Sequence, residues 1–100
     1  MALISPFKKD LDKASREIDL LHRLYNVYFT GGEEDPPRAQ RKLLETLIAK
    51  IKTQANTLSN AADKFAANSL VSKYQAHVVR WDKTLRLIEN GTIPKPKKRE

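Results

Sequence analysis

The chain contains no cysteine. Disulfides and thiolate metal sites are therefore excluded, and the composition suits a reducing compartment. Its two histidines, His22 and His77, lack any paired metal-ligand spacing, so no metal site is expected. Glycine is scarce, at three residues, and five prolines complete the turn-forming stock. That is too little for the many reversals of an all-β fold. No apolar run approaches the roughly 18 residues of a membrane span. The opening Met1-Ala2-Leu3-Ile4 gives way at once to Phe7-Lys8-Lys9-Asp10, which leaves no signal-peptide core. These absences together predict a cytoplasmic protein without a membrane span.

Catalytic patterns are missing as well. There is no Gly-x-Ser-x-Gly elbow, and Ser15, Ser69 and Ser72 fall inside helical patterns. Gly31-Gly32 lacks the Lys and Ser/Thr of a phosphate-binding loop and precedes Glu33-Glu34-Asp35, which would repel phosphate. The expectation is a non-enzymatic chain with no catalytic residue, no cofactor and no small-molecule substrate.

What is present is amphipathic helix. Of 100 residues, 40% are hydrophobic and 31% charged, the mix of one small folded domain, whether whole or a piece of a longer chain. Phe7, Leu11, Ala14, Ile18, Leu21, Tyr25 and Tyr28 recur at alternating steps of four and three, a heptad seam that predicts a first helix over 6–30. Leu20, Leu24 and Phe29 widen the stripe, as a bundle requires. Ser5-Pro6 reads as a start signal and Gly31-Gly32 as a stop. Residues 31–37 form a loop, with Asp35 expected to cap a second helix over 36–57. Its expected stripe is Leu44, Leu47, Ile51, Ala55 and Leu58, with Leu43 and Ile48 beside it.

Thr57-Leu58-Ser59-Asn60 predicts a break, because these polar side chains compete with the helix backbone and Asn60 with Asp63 resembles an N-cap. A third helix then runs over 61–90. Its expected stripe is Ala62, Ala66, Leu70, Tyr74, His77, Trp81, Leu85 and Ile88, with Gly91 as terminator. The fold class is all-α, an elongated, coiled-coil-like antiparallel three-helix bundle; without the break, a long two-helix hairpin is the alternative. Residues 1–91 make the helical domain and 92–100 a basic Pro/Lys-rich tail or linker. In an up-down-up bundle, Tyr25, Tyr28 and Phe29 approach Trp81 at one end.

Leu24-Tyr25, Tyr28-Phe29, Gly31 and Pro36-Pro37-Arg38 resemble a motif of small helical bacterial proteins of unassigned function. Asn60, Phe65, Leu70, Tyr74, Trp81 and the run Leu85 to Gly91 extend the resemblance over about residues 20–92. It implies a loop-like break before Asn60 and brings no activity.

The formal charge is +7. Residues 1–30 and 31–60 each hold five basic and four acidic groups, whereas the last ten hold four and one. The folded body is nearly balanced. Protein–protein interaction is the leading expectation, as an adaptor or by self-association into a dimer, because Leu43, Ile48, Val71, Val78, Val79 and Leu87 look surplus to a three-helix core. Tyr25, Tyr28, Phe29 and Trp81 are the candidate partner contacts. The competing expectation is a nucleic-acid accessory role through Arg80, Lys83 and Arg86 on the third helix with Lys95, Lys97, Lys98 and Arg99 in the tail.

Overall fold

The computed structural model describes residues 6–95. Three helices follow one another: α1 over Pro6–Phe29, α2 over Arg38–Ala55 and α3 over Ala61–Glu89. They pack in a bundle of 50 × 27 × 16 Å, each helix against both others. The break before Asn60 is real, and the two-helix hairpin is excluded.

The helix ends show why the chain reverses where it does. At the end of α1 the Gly32 amide donates to the Val27 carbonyl at 2.8 Å and the Gly31 amide to that of Tyr28 at 3.1 Å. α3 ends in the same pattern, Thr92 to Leu87 at 3.0 Å and Gly91 to Ile88 at 3.1 Å. Both are Schellman motifs, which need a left-handed residue after the C-cap. Gly31 (φ 87°) and Gly91 (φ 75°) supply it without the steric cost a Cβ would carry. Asn60 caps α3, its side-chain oxygen accepting from the amides of Ala62 at 2.8 Å and Asp63 at 3.3 Å.

The start of α2 differs from expectation. Asp35 is not the cap; Pro37 holds that position and makes no side-chain cap bond. The physical reason is that the helix starts at Arg38, two residues beyond the expected start, which leaves Asp35 two residues ahead of the cap; Pro37 itself brings no N–H that needs an acceptor. The Arg38 amide finds the Pro36 carbonyl at 2.8 Å. The proposed Ser5 cap of α1 lies outside the described residues.

Each helix buries a heptad seam. On α1 it is the expected set, Phe7 to Tyr28, with Leu11 only partly covered. On α2 the buried residues are Leu44, Ile48, Ile51 and Ala55, with Leu58 packed against them. Ile48 thus replaces Leu47 as the central contact, and Leu43 points outward at 73% exposure. On α3 the buried or partly buried set is Ala67, Val71, Tyr74, Val78, Trp81 and Leu85. Ala62 and Ala66 are exposed, so the expected stripe is one residue out of phase in the first half of this helix. A run of four-residue steps drifts around a helix, whereas alternating fours and threes track one partner-facing line. All three seams obey the second rule.

Candidate functional site

The seam of α2, extended three residues back from Leu44, reaches Arg41. A charged side chain therefore sits at a core position, with 18% of its side chain exposed. Its guanidinium forks onto Asp82 of α3, Nη1 to Oδ1 at 2.8 Å and Nη2 to Oδ2 at 3.2 Å. Nη1 also donates to the Tyr25 hydroxyl of α1 at 3.1 Å. One side chain thus ties all three helices by directed bonds. The Asp82 carboxylate holds the Arg41 charge more firmly than in a free arginine, against the opposing effect of burial. Glu45, one turn on, lies 3.8 Å from Arg41 Nε.

Tyr74 closes the layer. It is buried, and its hydroxyl has no hydrogen bond of good geometry. Burial pushes its ionisation up to about 12, Glu45 adds to this, and Arg41 pulls the other way. The phenol therefore keeps its proton near neutral pH, beside a fixed ion pair.

Around this layer the aromatics stack. Tyr25 lies on Trp81 with ring centroids 4.4 Å apart and an 18° interplanar angle, and Trp81 meets Tyr74 edge-on at 6.2 Å. Tyr25 also touches Phe29 at 5.6 Å, and Tyr28 touches Phe29 at 5.5 Å. The four proposed contact residues do converge, but Tyr25, Tyr28 and Trp81 are core residues, each below 5% exposed. Offset stacking and heptad position draw these rings inward, so they are not a free docking face. Tyr25 and Tyr28 instead form part of the wall of an open cleft of about 580 Å³ that includes Pro36, Arg38, Lys42, Leu85 and Arg86. Phe29 is partly exposed.

A histidine pair also meets Trp81. His77 stacks on Trp81 at 5.4 Å and meets His22 of α1 at 4.7 Å. Burial lowers the basicity of His77, reinforced by His22, Arg80 and Lys73 and opposed by Asp19. Lys73 reaches Asp19 at 3.4 Å across the same α1–α3 interface. Among the described residues no group of three or more His, Cys, Asp and Glu is placed to hold a metal ion.

The cations proposed for nucleic acid do not form one stripe. Arg86 lines the cleft beside α2, whereas Arg80 acts on His77 on the α1 side. Steps of three residues rotate about 60° per step away from a fixed line on a 3.6-residue helix. Lys83 and Lys95 are exposed, and Lys97, Lys98 and Arg99 lie outside the described residues.

A second concavity, of about 460 Å³, runs between α2 and α3. Ile48, Ala49, Tyr74, Val78 and Val79 give it an apolar lining, while Glu45 and Lys52 stand at its two ends on α2. Val79 is 68% exposed there. Val79 was visible in the sequence only as an apolar residue off the seam; Arg41 and Asp82 carried no sequence signal beyond the heptad extension just described.

Comparison with protein-family models, with curated proteins and with solved structures finds no match. Among the described residues no helix is long and apolar enough to cross a membrane.

Proposed function

We propose that this chain is a non-enzymatic helical interaction module of the cytoplasm, which docks a protein partner on the face formed by α2 and α3. The observation that carries this reading is the α2–α3 groove, where Val79 stands 68% exposed beside Ile48, Ala49 and Val78. Single apolar residues on a surface are ordinary, but a grooved apolar patch flanked by charge is the usual form of a contact surface. Two packed helices present a rigid, preformed groove, which suits another helix laid along it. The part-buried Arg41–Asp82–Tyr25 bonds support the same reading indirectly, because they fix the relative register of the helices that frame the groove.

The test is site-specific photo-cross-linking in the native cell. A cross-linking residue at position 79 should capture protein, and one at Arg16, on the exposed flank of α1, should not. Equal capture from both positions, or none from position 79, overturns the proposal.

A further inference from the structure

Glu45 and Lys52 are seven residues apart on α2, both exposed and both at the margin of the apolar groove. Seven residues are close to two turns, so the two charges share one face about 10.5 Å apart. Their midpoint falls between Ile48 and Ala49, the apolar residues that α2 contributes to the groove. We infer that the occupant of this groove is a second copy of the chain, related by a two-fold axis that crosses α2 at right angles between Ile48 and Ala49. The inference rests on the interaction reading above and specifies its partner.

Such an axis lays α2 antiparallel on the α2 of the second copy. Glu45 of each copy then faces Lys52 of the other, so one pairing is made twice. A two-fold interface has this requirement: if residue i meets residue j, then j must meet i. A patch with one acid and one base placed symmetrically about an apolar centre satisfies it by itself. The neighbouring charge does not spoil the match, because Lys42 falls opposite Ala55 and Asn56, which are uncharged. Asp82 is already held by Arg41. The 18 residues of α2 span about 27 Å. With α3 alongside at a usual 8–10 Å axial distance, the face measures roughly 27 by 20 Å, which falls below the roughly 800 Å² per partner of a standard interface and suits a weak, reversible dimer. A dimer of micromolar affinity is the expected strength.

Sedimentation of the whole chain across 1–200 µM, an experimental range of about two decades around that affinity, reads the outcome. Glu45→Lys and Lys52→Glu should each weaken the dimer by about tenfold, since each change sets like charges together at two places. An equimolar mixture of these two variants should dimerise as well as the wild type or better, because the mixed pair is complementary at both positions. Lys52→Glu is the cleaner single change, as Glu45 also lies near Arg41; the Glu45→Lys, Lys52→Glu double variant should self-associate like the wild type. A chain that stays monomeric throughout the range overturns the second-copy assignment. So does a dimer indifferent to both single reversals, or a mixture that fails to associate. If the chain is monomeric and position 79 still cross-links a different protein, the interaction reading stands and only the occupant is wrong. If neither occurs, both fall.

Discussion

Removing Asp82 should destabilise the bundle through Arg41, by an amount that the exposures set. The pair is bidentate, with bonds of 2.8 and 3.2 Å. Breaking a fully buried ion pair costs about 3–5 kcal/mol, because the remaining charge is stranded. Here the Arg41 side chain is 18% exposed and that of Asp82 42%, so water screens the carboxylate side. Discounting for that leaves about 1–2 kcal/mol for Asp82→Ala. Arg41→Ala should cost more, about 2–3 kcal/mol, since it also deprives the buried Tyr25 hydroxyl of its donor and removes a seam side chain. The double variant should fall short of the sum by about 1 kcal/mol, the coupling between the two groups. Urea denaturation followed by the fluorescence of Trp81, the single tryptophan, measures all three; at this chain length 1 kcal/mol moves the thermal midpoint by about 4–8 °C. The internal standard is Lys73–Asp19, a 3.4 Å pair with side chains 48% and 66% exposed, where a coupling under about 0.5 kcal/mol is expected. A coupling at Arg41–Asp82 no larger than that of the standard would refute the claim that this pair acts as part of the core.

The histidine pair gives a pH prediction. Burial and the cations around it depress the basicity of His77 in the folded chain relative to the ordinary value of 6.5, so the unfolded chain takes up this proton more readily. Stability from this source is therefore full above about 6.5 and is lost as pH falls through the lower folded value. Urea midpoints should drop as pH is lowered from 7.5 toward 5, and His77→Phe should flatten the slope; an unchanged slope in the variant would assign the effect elsewhere. The phase of α3 is testable at two adjacent alanines. Ala67 is buried at 1% exposure whereas Ala66 is exposed, so Ala67→Leu should cost about 1–3 kcal/mol by overpacking and Ala66→Leu almost nothing. Equal effects in thermal melts would refute the heptad phase assigned to this helix.

How far the fold could be read in advance depended on how strongly each segment punctuates itself. α1 was legible in full, because large apolar residues occupy six of its seven seam positions and glycine follows it. The start of α3 was legible because Asn60 can cap and the preceding residues resist helix. Its phase was not, because Ala61, Ala62, Ala66 and Ala67 fit either face and are too small to choose, and Phe65, the large apolar side chain of these first two turns, stands outward at 75% exposure. Counting back from Trp81 in alternating threes and fours gives Val78, Tyr74, Val71 and Ala67, the set that is buried or partly buried. On α2, Leu47 and Ile48 are adjacent and equally apolar, and only the neighbouring helices decide between them. The ion pair was hidden for another reason. Arginine at a seam position looks like surface until a carboxylate from a residue 41 positions away is brought to it. The aromatic end was legible as a convergence of seam rings and was expected to meet a partner; the stacking of Tyr25 on Trp81 occupies these ring faces within the bundle.

The up-down-up order also fixes how the chain must find this arrangement. α1 with α2, and α2 with α3, are neighbours in sequence joined by short connections, so their closure spans few residues and loses little chain entropy. Only the α1–α3 interface, with Tyr25 on Trp81 and Lys73 near Asp19, joins segments separated by a whole helix. A bundle with so local a contact pattern belongs with the rapid folders, in the microsecond to millisecond range. The stacking of Trp81 on Tyr25 reports on the least local of its interfaces, so the tryptophan signal is expected to follow formation of that interface, with helix content rising no later.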